Sequence, residues 1–88
     1  MLIKGRKAMN NIIETIHKRE NRNNIIHTHN IKEIDYVVID RPLNNICIQY
    51  KNGNFYGSKI TNFERRDLKK LEKLEKTDLD LEIEEMKG

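Results

Sequence analysis

Apolar residues fall in short clusters along this chain, and their spacing changes from one cluster to the next. Met9, Ile12, Ile13 and Ile16 sit at i, i+3, i+4 and i+7, the single stripe of an amphipathic helix. This predicts a helix over roughly 6–21, with Lys7, Lys18, Arg19 and Arg22 largely off the stripe, ended by Asn21-Arg22-Asn23-Asn24. Ile25 and Ile26 can begin a strand. Ile34 to Asp40 predicts a firmer one, because Tyr36, Val37, Val38 and Ile39 are aromatic or β-branched. Both of its faces carry apolar residues, so it is expected at the centre of a sheet. Pro42 cannot donate to a ladder and should end it.

The run "NICIQYKNGNFYGSKI" alternates on both sides of Asn52-Gly53, a pair that favours a two-residue hairpin turn. Such a turn sets the register. Tyr50 should face Phe55, Ile48 Gly57 and Ile46 Lys59 on the core side, with Cys47 opposite Ser58 and Gln49 opposite Tyr56 on the open side. Thr61 and Glu64 then have the spacing of a capping box. A helix over about 62–76 should follow, with Leu68, Leu71 and Leu74 on one arc. Arg65, Arg66, Lys69, Lys70, Lys73 and Lys76 crowd the other. In the tail, Leu79, Leu81 and Ile83 alternate like a strand, whereas Leu79, Ile83 and Met86 fit a helix.

The expected architecture is a small α+β domain over 1–76, an antiparallel sheet of three or four strands flanked by two helices in the order α-β-β-β-α. A short acidic C-terminal element, 77–88, is expected after it. Eighty-eight residues leave room for one core. The single Cys47 forms no internal disulfide, no apolar run has membrane-spanning length, and the basic start lacks the apolar run of a signal peptide. A cytoplasmic, reducing setting with no membrane partner is the expectation.

Charge sharpens the picture. The net charge is +3, but residues 1–76 hold sixteen basic and nine acidic groups, +7, and residues 77–88 one and five, −4. That asymmetry points to a polyanion or an acidic partner. Heavy use of Asn, Ile and Lys with almost no Ala matches AT-rich coding, as in phages and other mobile elements.

Chemistry-bearing sets are sparse. His27-x-His29 places two imidazoles on one face of a strand, where a carboxylate such as Asp35 or Asp40 would have to complete a metal site. Cys47 on an apolar strand reads as a small buried hydrophobe, and no Gly-rich phosphate loop is present. "NGNFYGS" followed by "TNFERR" resembles part of the GIY-YIG nucleases, over about 20 residues. The resemblance puts Arg65 or Arg66 at the catalytic Arg. Asn44-Asn45 stand where that family has its first Tyr, Phe55-Tyr56-Gly57 replaces Tyr-Ile-Gly, and the metal-binding Glu has no counterpart.

The leading expectation is therefore a non-catalytic module that binds nucleic acid, or a nucleic-acid–protein complex, with no cofactor and no metal. Arg65, Arg66, Lys69, Lys70 and Lys73 would meet phosphates, joined by Lys18, Arg19 and Arg22, with Tyr56 and Gln49 against bases. A homodimer, or a protein partner engaged through 79–86, is compatible with this. The alternative is a small phage- or plasmid-type inhibitor that occludes a site on a larger host or defence enzyme through the sheet face or the C-terminal element. A metal-dependent nuclease is the third reading.

Overall fold

The computed structural model describes residues 11–20 and 22–87. Five strands precede two helices: β1 (Ile12–His17), β2 (Ile25–Asn30), β3 (Ile34–Asp40), β4 (Asn45–Tyr50), β5 (Phe55–Lys59), α1 (Arg65–Glu72) and α2 (Asp78–Lys87). Short 3₁₀ turns at Ile31–Glu33 and Ile60–Asn62 link them. The fold is α+β, with antiparallel sheets of two strands (β1-β2) and three (β3-β4-β5).

The expected first helix is corrected. Its described core, Ile12–His17, is a strand paired with β2 from Ile12↔Asn30 to His17↔Ile25. Four of those six residues are β-branched and stiff at χ1, which favours the pleat over the helical turn. Burial has period two: Ile13 and Thr15 are fully inside. A polar Thr at a core position hid the alternation. Residues 6–10 of the predicted helix lie outside the described residues. Among the described residues the order is thus β-β-β-β-β-α-α, where α-β-β-β-α was expected.

The β4-β5 hairpin forms where expected but turns over three residues, not two. Gly53 N donates to Tyr50 O (3.1 Å) and Tyr50 N to Asn54 O (2.8 Å). Only Gly53 takes positive φ, +94°. This is a type I turn followed by a glycine bulge. Pairing therefore shifts by one, to Gln49↔Phe55, Ile48↔Tyr56, Cys47↔Gly57, Ile46↔Ser58 and Asn45↔Lys59. A one-residue slip exchanges the faces of β5. Tyr56 and Ser58 turn inward, and Phe55, Gly57 and Lys59 turn out to solvent.

The core comprises Ile13, Ile34, Val37, Ile46, Ile48, Phe63 and Leu71. It lies between the inner face of the three-stranded sheet and a second layer made of the β1-β2 ribbon, the Phe63 segment and α1. Phe63 bridges to Thr15, and the segment after α1 bridges to the free edge of β3. There Val37 N donates to Leu74 O (3.0 Å) and Lys76 N to Val37 O (2.8 Å), which seals an edge that would otherwise stay unpaired.

Two further expectations are corrected. Thr61 does not cap a helix. It pairs instead with Asn44, whose left-handed φ of 56° ends the β3-β4 turn: Asn44 Nδ2 donates to Thr61 Oγ1 (3.2 Å) and Thr61 N to Asn44 Oδ1 (3.3 Å). Helix α1 opens after Glu64, whose side chain makes no capping bond, and spans 65–72 rather than 62–76. The reciprocal cap sits at α2: Asp80 N donates to Thr77 Oγ1 (3.1 Å) and Thr77 N to Asp80 Oδ2 (2.9 Å). Of the two readings of the tail, the helix is the one formed.

Candidate nucleic-acid interface

Helix α1 divides as its sequence predicts. Leu71 is fully buried, and Leu68 and Leu74 pack half-buried against the core. Arg65, Arg66, Lys69 and Lys73 are exposed, and Lys70 is half-exposed. Arg65, Lys69 and Lys73 follow at four-residue steps, so they form a row spaced about 6 Å apart at 1.5 Å rise per residue. Like charges at that spacing repel, each pair costing a few tenths of a kcal/mol of helix stability. Among the described residues, none pairs with Arg65, Lys69 or Lys73.

Three neighbouring carboxylates are engaged elsewhere, while Glu64, exposed at the start of α1, makes no capping bond. Asp67 turns inward, where its Oδ2 accepts from Glu14 N (3.1 Å). Its Oδ1 is buried with no hydrogen-bond partner among the described residues; Arg66 Nε stands 3.5 Å away in poor hydrogen-bonding geometry. Arg41, from the β3-β4 turn, takes both Glu72 (3.3 Å) and Glu75 (2.9 Å). Hydrogen bonds from Arg41 hold the Glu75 carboxyl below its ordinary range, and the same contacts push Arg41 up. Lys76 leaves the basic face: its Nζ lies 2.6 Å from Glu84 and 5.4 Å from the Tyr36 ring centroid.

The other expected contact residues are dispersed. Lys18, Arg19 and Arg22 are exposed on the β1-β2 loop, not on a helix, and Arg19 Nε donates to Asn23 O (3.1 Å). Lys7 lies outside the described residues. Gln49 stays on the outer sheet face, but its Nε2 is bound to the hairpin carbonyls of Gly53 (3.2 Å) and Asn54 (3.1 Å). Tyr56 is not on the open face. The shifted register carries it inward, where His27 and His29 lie against its ring at 5.3 and 4.7 Å and its hydroxyl meets His17 Nε2 at 3.1 Å.

The three histidines therefore share one cluster, a feature that spacing showed only in part. Alternation puts His27 and His29 on one face of β2, and the ribbon register adds Thr15 and His17. His29 is buried and held at both nitrogens, Nε2 by Thr15 Oγ1 (2.7 Å) and Nδ1 by the Tyr50 hydroxyl. Desolvation, then the nearby His27, lowers its pKa below 6.5, so it stays neutral at neutral pH. With both nitrogens occupied it has no lone pair to offer a metal. No group of three or more His, Cys, Asp or Glu among the described residues is arranged to hold a metal ion. Asp35 and Asp40, on β3, do not join the pair. Beside the cluster, β2 and the β4-β5 hairpin bound an open cleft of about 760 Å³, with Lys32 and Lys51 in its lining.

No family model matches this chain, and neither a curated protein nor a solved structure does. Among the described residues no helix is long and apolar enough to cross a membrane.

Proposed function

We propose that this protein is a non-catalytic module that holds the sugar-phosphate backbone of nucleic acid along the outward face of α1. One observation supports this above the others. Arg65, Lys69 and Lys73 stand in an exposed row while Glu72, Glu75 and Asp67 are turned away from it or neutralised. A cationic row with its counter-charges removed repels itself, and a polyanion relieves that repulsion while releasing its own condensed ions. Contacts of this kind carry no base information, so binding is expected to be insensitive to sequence. With Tyr56 engaged inside the fold, base stacking by that residue is not part of the proposal.

The test is fluorescence anisotropy with labelled oligonucleotides of unrelated sequence. Lys69→Glu with Lys73→Glu should abolish binding and leave the thermal melt nearly unchanged, because both side chains are exposed. Binding that survives the double reversal would refute the assignment to α1.

A further inference from the structure

Among the described residues, two apolar surfaces lie uncovered. The first is α2. Its Leu79, Ile83 and Met86 are 63%, 42% and 86% exposed, and none of its residues is buried. A ten-residue helix is marginal in water and normally persists by burying an apolar face. The second is the outer face of the three-stranded sheet. The registers place Tyr36, Gln49 and Phe55 in one row, Val38, Cys47 and Gly57 in the next, and Asp40, Asn45 and Lys59 in the third. Antiparallel sheets usually turn polar residues to water, yet here the middle row is apolar and Phe55 is 72% exposed. Above that middle row runs a shallow groove of about 490 Å³, floored in part by Gly57, over which a Cβ would meet no atom within 4 Å.

We infer that this protein forms a symmetric dimer in which α2 of each copy lies in the sheet groove of the other. The stripe at i, i+4 and i+7 is the pattern by which a helix anchors in an apolar groove. The groove has a lysine at its rim, Lys59, and α2 carries five of the chain's carboxylates. The remaining 76 residues carry +7 against −4 for the C-terminal twelve, so each copy attracts the other's helix. Asp40, in the same row as Lys59, already accepts from Leu43 N (3.3 Å). The helix also starts in a suitable place: Lys76, just before it, lies over Tyr36 at a corner of that face. One patch meeting its complement twice gives a closed, isologous assembly. The outward face of α1 belongs to the opposite layer and stays free.

Light scattering on the full chain across a concentration series should give twice the monomer mass, falling to one on dilution. Ile83→Asp should dissociate the dimer from the helix side. Gly57→Val should do so from the groove side while each chain keeps its fold by circular dichroism, since the new side chain enters open space. Ile83→Cys should cross-link to Cys47 of the second copy under mild oxidation at alkaline pH, giving a covalent dimer on a non-reducing gel. A monomer at all concentrations, a disulfide closed within one chain, or a dimer indifferent to both substitutions would each overturn the proposal.

Discussion

His29 shows how much one side chain can carry. Its ring joins β2 to β1 through Thr15 and to β4 through Tyr50, so it ties the two sheets together across the core. His29→Ala would leave the buried Thr15 hydroxyl and the half-buried Tyr50 hydroxyl without this partner, at a cost of about 1–3 kcal/mol on denaturant unfolding. Its pH dependence has a definite sign. The folded pKa lies below the unfolded value, so below about 6.5 the unfolded chain binds the proton more readily. Stability is complete above that pH and is lost as acidification proceeds towards the folded pKa. Melting temperature should fall between pH 7 and 5, and His29→Phe should flatten that slope. The alternation of His27 and His29 was readable in the sequence. Their partners were not, because no spacing relates residues 15, 29 and 50 until the strands are paired.

At the scale of elements, β-branched runs and turn residues decided more than helical periodicity did. Strand β3 and the β4-β5 hairpin follow from Tyr36–Ile39 and from Asn52-Gly53. Strand β1 did not, because Ile12, Ile13 and Ile16 fit a helical stripe and a strand equally well. The register of β5 rested on whether one or two turn residues take positive φ, and only Gly53 does. Gly53→Ala should therefore cost about 1 kcal/mol, read by chemical denaturation. Helix α1 was legible through its leucines even though its cap was misplaced. Leu71→Ala should destabilise by about 2–5 kcal/mol, since Leu71 is fully buried, whereas Lys69→Ala should stay within about 0.5 kcal/mol of the parent.

Across the whole molecule, charge was legible in amount but not in place. Lys18, Arg19 and Arg22, expected at a first helix, sit on a loop between strands, and among the described residues those of α1 form a row. What keeps that row positive comes from a distant part of the chain: Arg41, 31 and 34 residues away from the two carboxylates that it holds. Arg41→Ala should release Glu72 and Glu75 beside the row and weaken nucleic-acid binding several-fold with little loss of stability. That outcome would separate an organised field from a simple excess of lysine. The most direct measurement is the dependence of oligonucleotide affinity on salt. Three phosphate contacts through Arg65, Lys69 and Lys73 predict a slope of log K against log salt of roughly −2 on single strands, reduced to about −0.7 when Lys69 and Lys73 are changed to alanine. A slope near zero for the parent protein, or one that the two substitutions leave unchanged, would contradict the account.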